Sequence, residues 1–178
     1  EIRTDADLAA AIVERVRSYA KGTRSERVSS EVSELVNKAV REFKRQSGER
    51  VEVWVPQEQP VYIIVNPLEF ELVIINLLRN AAQALQELGV LNPKVALTIK
   101  REDNKALIAI EDNGHIEKEK IEKLSEPTNS TKADGLGLGL QIVRSIIENH
   151  GGKIFFSQAA SGGLRVEIRL PAEETTEQ

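Results

Sequence analysis

Apolar residues recur along this chain with two different periods, and the changes of period divide it into elements. Over residues 5–21, Leu8, Ile12, Val16 and Tyr19 stand four, four and three apart, with Val13 widening the row. That is the stripe of an amphipathic helix. Gly22 closes it, and the polar stretch 23–30 reads as a linker. Ser29 or Ser30 is placed to cap a second helix with Glu31 in its first turn. Its stripe is Val32, Leu35, Val36, Ala39, Val40 and Phe43, and it ends near Ser47 and Gly48.

The period then shortens. Residues 51–55 alternate and 60–65 are rich in β-formers, so both read as strands. Pro67 opens a long helix over about 68–88, in a first turn that tolerates proline. Ile74, Leu77, Leu78, Ala81, Leu85 and Leu88 form its core face; Asn76, Asn80, Gln83 and Glu87 form a separate polar row at the same spacing. Gly89 and Asn92-Pro93 end it. Residues 94–101 and 105–111 alternate around a short polar turn, the pattern of a hairpin. Between 112 and 136 stand a possible short helix at 118–124 and a Ser/Thr/Asn-rich stretch that reads as a mobile loop. A helix follows over 138–150, closed by Gly151-Gly152, then a last hairpin of 153–157 with 164–170. The order αα-ββ-α-ββ-loop-α-ββ predicts one mixed β-sheet with helices on one face, an α/β two-layer sandwich. The expected organisation is a helix at 1–22, a linker at 23–30, one domain at 31–171 and a polar tail at 172–178.

Composition narrows the chemistry. The 178 residues are 40% apolar but only 4% aromatic, so the core rests on aliphatic side chains. A net charge of -4 without a dense basic cluster gives no footing for nucleic acid. The absence of cysteine excludes disulfides, thiolate metal sites and thiol nucleophiles. No apolar run approaches the roughly 20 residues that span a bilayer. The expected location is cytoplasmic, as one piece of a longer parent whose own attachment to a membrane stays open.

Three segments carry candidate chemistry. Asn76 and Asn80 lie one helical turn apart, so two amide oxygens face one side and suit a hard cation such as Mg²⁺. Arg79 and Gln83 stand nearby as donors to phosphate oxygens; the bland alternative is a solvated helix face. Asp112-Asn113-Gly114 follows a strand: a carboxylate there can accept from the exocyclic amine of a purine, and glycine lets the ring approach. Alone it is equally a plain turn. Gly135-Leu136-Gly137-Leu138-Gly139-Leu140 runs into a helix start, where free N–H groups and the dipole favour phosphates. The leucines alternate away as anchors. This is not a Walker loop, because no Gly-Lys-Ser/Thr follows, nor a dinucleotide fingerprint, because no strand precedes it.

In this order and spacing the three segments resemble the GHKL ATPase superfamily, and within it the catalytic domain of sensor histidine kinases. Residues 71–81 (ELVIINLLRNA) resemble its asparagine box, Asp112-Asn113-Gly114 its first glycine box, 124–132 its phenylalanine box and lid, and 135–140 its second glycine box. Ile142-Val143 through His150-Gly151-Gly152 continue the likeness, and residues 8–21 are similar to the second helix of the family's dimerisation hairpin. The resemblance implies the Bergerat fold, with ATP or ADP and Mg²⁺ held between the long helix and a lid. It implies Asn80, with Asn76, at Mg²⁺, and Asp112 at the adenine amine. Gly114, Ile116, Gly135, Leu136, Gly137, Leu138, Gly139 and Leu140 would line the nucleotide; Thr131, Lys132, Arg79 and Gln83 would stand near its phosphates. The implied partners are the protein's own dimerisation and phosphotransfer domain, in a homodimeric parent, and a cognate response regulator.

The chain departs from the family pattern in four places. His115-Ile116 follows Gly114, one residue short and without the second glycine. The lid has Ser125, Thr128 and Asn129 where aromatic residues are usual. Leu164 follows Gly163 where threonine is frequent. No phosphoacceptor box is present: the chain's two histidines are His115, which stands beside the first glycine box, and His150, read as a helix C-terminal residue favoured by the dipole. The reading is therefore phosphoryl transfer from ATP to a histidine outside this sequence. An ATP hydrolase of the same superfamily would carry a glutamate where Asn76 stands, since a neutral amide cannot take a proton from water. A serine kinase of the anti-sigma type would lack the helix at 8–21. A nucleotide-binding regulatory or interaction module without kinase activity is the alternative from another class.

Overall fold

A computed structural model of the chain describes residues 26–48, 50–56, 59–126 and 137–174. The predicted helix at 5–21 lies outside them. The first element is strand β1 (Val28–Glu31), which pairs antiparallel with β3 (Tyr62–Val65). Helix α1 (Val32–Ser47) follows at once and buries the expected stripe, Val32, Leu35, Val36, Ala39, Val40 and Phe43. Its cap is Glu31, whose carboxylate accepts from the backbone N–H of Ser33 at 3.0 Å and Glu34 at 3.1 Å. The expected caps Ser29 and Ser30 are instead strand residues. Residues 28–30 of the stretch read as linker are extended because their backbone is used by β3.

β2 (Glu52–Trp54) and β3 are both strands, as expected, but they do not pair with each other. β2 lies parallel to β4 (Lys94–Glu102), while β3 joins β1. A parallel pair needs a long crossover, and helix α2 (Pro67–Glu87) lies within the connection from β2 to β4. α2 starts on Asn66, whose Oδ1 accepts from Glu69 N–H at 2.9 Å, with Pro67 in the first turn. It buries Phe70, Val73, Ile74, Leu77, Leu78, Ala81 and Leu85. Leu88, expected on that face, is half exposed because it forms the C-cap.

β4 and β5 (Lys105–Asp112) make the expected hairpin. Helix α3 (Lys118–Ser125), helix α4 (Gly137–Asn149), β6 (Lys153–Gln158) and β7 (Leu164–Pro171) complete the order. The main sheet runs β2-β4-β5-β7-β6, mixed because only β2 is parallel to its neighbour. Ile99, Ile108 and Ile168 lie in one cross-strand row and Leu97, Ile110 and Val166 in the next; all six belong to the core cluster they share with α1, α2 and α4. This is the expected α/β two-layer sandwich.

The opposite face is closed by charge. Leu107 and Ala109 sit on it yet are 3% and 0% exposed. Their cross-strand partners on β7 are Arg169 and Glu167. Arg165 bridges Glu111 and Glu167, Arg169 pairs with Glu167 at 2.7 Å, and the Arg169 guanidinium lies 4.9 Å from the Phe155 ring centre. The methylene stems of arginine shield apolar surface while the heads stay wet. Ala172 and Glu173, read as the start of a tail, stitch the two sheets together. Ala172 N–H donates to Asn104 O at 2.9 Å and Glu173 N–H to Tyr62 O at 2.8 Å.

Candidate functional site

A cavity of about 170 Å³ opens between α2, the end of β5 and α3. Its apolar walls are Leu77, Ala81 and Ala84 of α2, Ile110 of β5, Phe156 of β6 and Val166 of β7. Its polar groups are Asn80, Glu87, Asp112, His115 and Lys120. A narrow apolar slot with few polar groups is the usual form of a small-molecule site.

Asp112 is the best-defined of these groups. It is 7% exposed at the end of β5. Its Oδ1 accepts from Gly114 N–H at 2.9 Å and its Oδ2 from Leu164 N–H at 3.3 Å. Burial pushes its carboxyl above the ordinary aspartate range, and the two N–H donors pull the other way. Two flanking glycines make the room. A Cβ on Gly163 would stand 2.2 Å from Asp112 O and 2.3 Å from its Oδ1, and one on Gly114 would stand 3.0 Å from that Oδ1. Asn113 is a turn residue in the structural sense: it accepts from Lys94 N–H at 2.7 Å and donates to Asn92 O at 2.8 Å. The Asp-Asn-Gly run therefore serves both as turn and as carboxylate mount. Ile116, which stands where the shortened box departs from the family, is buried against the cavity, with its N–H donating to Gly162 O at 3.1 Å.

The polar row on α2 divides. Asn80 lines the cavity. Asn76 is 7% exposed, and its Nδ2 donates to Leu72 O at 2.9 Å. That bond leaves Oδ1 facing α4, 3.5 Å from where a Cβ on Gly139 would lie. Arg79 and Gln83, expected near phosphates, do not line the cavity. Arg79 donates to Gln46 on α1, and Gln83 donates to Glu87 at 2.9 Å. Arg79 stands one residue before Asn80, about 100° round the helix, whereas Gln83 shares the face of Asn80 and is held by Glu87.

The glycine segment runs into a helix, as expected. α4 spans Gly137–Asn149, within one residue of the expected 138–150, so Gly137, Leu138, Gly139 and Leu140 fall in its first turn. Leu140 lines the cavity. A first turn has unsatisfied backbone N–H groups, which suits the expected phosphate role as well as a loop would. Thr131, Lys132, Gly135 and Leu136 lie outside the described residues. Lys120 of α3 reaches the cavity without having been expected. Its helix was legible, but a surface run of alternating charge gave no sign of which lysine turns inward. α3 itself is held by Arg144, which donates to Leu124 O and lies 5.1 Å from the Phe156 ring centre.

His150 stands at the C-terminal end of α4, as expected, and is also buried there. It is 7% exposed, with Nδ1 bonded to Ile146 O at 2.7 Å and Nε2 accepting from Asn66 N–H at 3.1 Å. The residue is consumed by packing, because the chain must turn sharply into β6 there.

The cavity can thus hold a flat ring with an exocyclic amine against a buried carboxylate, with amide oxygens and a helix start at its other end. Among the described residues no group of three His, Cys, Asp or Glu could hold a metal. A cation at this end would rest on amide oxygens together with oxygens of the ligand. Nor is any helix among the described residues long and apolar enough to cross a membrane.

Known proteins resemble this chain in sequence and fold. Residues 65–174 match the family described as histidine kinase-, DNA gyrase B- and HSP90-like ATPases. The chain is 32% identical to the sensor protein TdiS of Thauera aromatica over 177 residues, covering 94% of this chain and 32% of that protein. It is 34% identical to sporulation kinase B of Bacillus subtilis over 125 residues, covering 69% of this chain and 28% of that one. The chain spans about a third of the length of these relatives. Among solved structures, the catalytic domain of histidine kinase ThkA in a nucleotide-free form superposes with a TM-score of 0.67 at 27% identity, covering 82% of this chain and 97% of that domain. With the cavity, its buried aspartate and these likenesses together, the chain belongs to the histidine kinase-, DNA gyrase B- and HSP90-like ATPase family, as an ATP-binding domain of the sensor histidine kinase type.

Proposed function

We propose that this chain binds Mg-ATP in the α2–β5–α3 cleft and supplies the γ-phosphate to a histidine of a dimerisation and phosphotransfer domain, within a homodimeric two-component kinase that passes the phosphoryl group to a response regulator. The observation that carries this reading is Asp112. A carboxylate buried at the foot of an apolar slot, fixed by two backbone N–H groups, has acceptor capacity left for the adenine amine. Gly114 and Ile116 border the ring beside it, with Leu77 and Val166 as walls.

At the other end Asn80, with the Oδ1 of Asn76, would hold Mg²⁺. Amide oxygens are hard donors, and this ion keeps several ligands from phosphate and water. When bound it neutralises charge on the transferring phosphoryl group. The chain's own part is positioning, which supplies most of the catalysis in phosphoryl transfer. Gly137 and Gly139 bring the N–H groups of α4 to the phosphates. Leu140 lines the cleft beside that turn, and by the family resemblance Thr131, Lys132, Gly135, Leu136 and Leu138 would add to the nucleotide's surroundings. Transfer is favoured over hydrolysis because Asn76 is an amide whose Nδ2 is bound to Leu72 O, so this helix turn offers no base to water. His150 is buried with both ring nitrogens engaged, which removes it as an acceptor.

The test is thermal unfolding with and without Mg-ADP. Ligand at about 100 times its dissociation constant stabilises a single site by roughly 2.7 kcal/mol. The shift should require Mg²⁺ and shrink in Asp112→Asn and Asn80→Ala. A folded wild-type protein with no shift overturns the reading.

A further inference from the structure

The imidazole of His150 joins the far ends of the two helices that frame the nucleotide cleft. Its Nδ1 donates to Ile146 O at 2.7 Å, inside the last turn of α4. That bond fixes the tautomer, leaving Nε2 as an acceptor for Asn66 N–H at 3.1 Å. Asn66 is the N-cap of α2, and Glu69, whose N–H it caps, lies with Oε2 3.7 Å from the same Nε2. The side chain is 2% exposed. Two further bonds hold the turn in place: Gly152 N–H donates to Ile147 O at 2.9 Å and Arg27 to Asn149 O at 2.6 Å. Gly152 can carry no side chain, since a Cβ would stand 2.6 Å from Leu170.

The same two helices meet again at the cleft, where Asn76 Oδ1 faces Gly139. At a rise of 1.5 Å per residue, Asn76 is about 15 Å along α2 from Asn66, and Gly139 about 16 Å along α4 from His150. Between the two meeting points, Phe70, Val73 and Ile74 of α2 and Val143, Ile146 and Ile147 of α4 belong to one buried apolar cluster. Such packing resists separation and restricts sliding through the fit of its side chains, without tying any one pair of atoms at a set distance. The hydrogen bond at Asn66 is directional, and it sits where the helix axes are longest from the site.

We propose that His150 is a positioning residue for the nucleotide site: through its Nε2 bond to Asn66 it sets the register of α2 against α4, and thereby the distance between the Asn76 and Asn80 amides and the first turn of α4. The inference rests on the proposed Mg-ADP site for its binding readout. It adds a residue that touches neither nucleotide nor metal.

Two substitutions separate the two bonds. His150→Gln keeps an acceptor at the reach of Nε2 and loses the donor to Ile146. His150→Asn keeps a donor at the reach of Nδ1 and loses the acceptor for Asn66. Both should lower the melting temperature. Only His150→Asn should weaken Mg-ADP binding, by about tenfold, and displace the NMR side-chain amide signals of Asn76 and Asn80 in the nucleotide-free protein. A role confined to stability would lower the melting temperature in both and leave affinity and those signals unmoved, which overturns the proposal. Equal loss of affinity in both variants overturns it as well. Should His150→Asn not fold, the wild-type protein still decides. Linkage is reciprocal, so Mg-ADP must increase hydrogen-exchange protection of the Asn66 amide, and an unchanged amide in a nucleotide-bound protein refutes the coupling. If the wild-type protein binds no Mg-ADP, the functional reading fails, while the Asn76 and Asn80 signals in the two variants still decide the positioning role.

Discussion

Asp112 meets two opposed demands, and its neighbours show how. It must stay dry to recognise a ring, yet stay charged to accept from an amine. Burial raises its pKa and the N–H groups of Gly114 and Leu164 lower it, with burial the larger effect. Protonation occupies a lone pair that the amine needs. Affinity for Mg-ADP should therefore fall on acidification, beginning above the aspartate value of about 3.9, and calorimetric titration from pH 7 downward would read it. Affinity that is flat across that range would separate Asp112 from the ligand. The same raised pKa makes a matching statement about the apo fold. The protonated form is favoured by folding, so this group's contribution to stability is complete below its unfolded pKa and is lost as pH rises through the folded one. Gly163 is the sharpest steric requirement in the site. Gly163→Ala puts a Cβ 2.2 Å from a backbone oxygen, and such overpacking costs about 1–3 kcal/mol. Denaturant melts should show that loss, together with a Mg-ADP response weakened beyond it because Asp112 is what must move.

At the scale of elements, α4 offers a variant whose two effects have opposite sign. Gly139 is helical, and a Cβ there would meet Asn76 Oδ1 at 3.5 Å, an ordinary contact. Gly139→Ala should therefore stabilise the apo protein by about 0.5–1 kcal/mol while weakening Mg-ADP binding, since the methyl takes room between the amide and the phosphates. A gain in melting temperature with unchanged affinity would remove Gly139 from the site. Glu31→Ala tests the unexpected cap of α1, and an N-cap side chain removed costs about 0.5–2 kcal/mol. What the sequence revealed of these elements follows a simple division. Helix stripes such as Val32 to Phe43 are local in the chain, so their period was visible and correct. β2 and β3 were visible as strands, but their partners β4 and β1 were not, because pairing is a long-range matter that alternation does not encode. The serines at 29 and 30 looked like caps until the strand claimed them. The site divided the same way. Asn80, Asp112 and Leu140 were legible from motif chemistry, whereas Lys120 and Phe156 enter the cavity only through the packing of α3 on β6.

Over the whole molecule the two faces of the sheet do separate work. One builds the cleft; the other is sealed by a ladder of arginine and glutamate. Arg169→Ala should cost about 1 kcal/mol, from the lost contact over Phe155 and the uncovered Leu107, and should leave Mg-ADP affinity unchanged. A changed affinity would mean that the sealed face communicates with the cleft. The stitch at Ala172 and Glu173 has a further consequence. Ser29 Oγ donates to the Glu173 carboxylate, so the first strand of this body and the residues after its last strand meet at a single spot. The order in which its elements are synthesised is then nearly interchangeable, and a circularly permuted chain, spliced across that spot and opened at an exposed turn, should close on the same architecture.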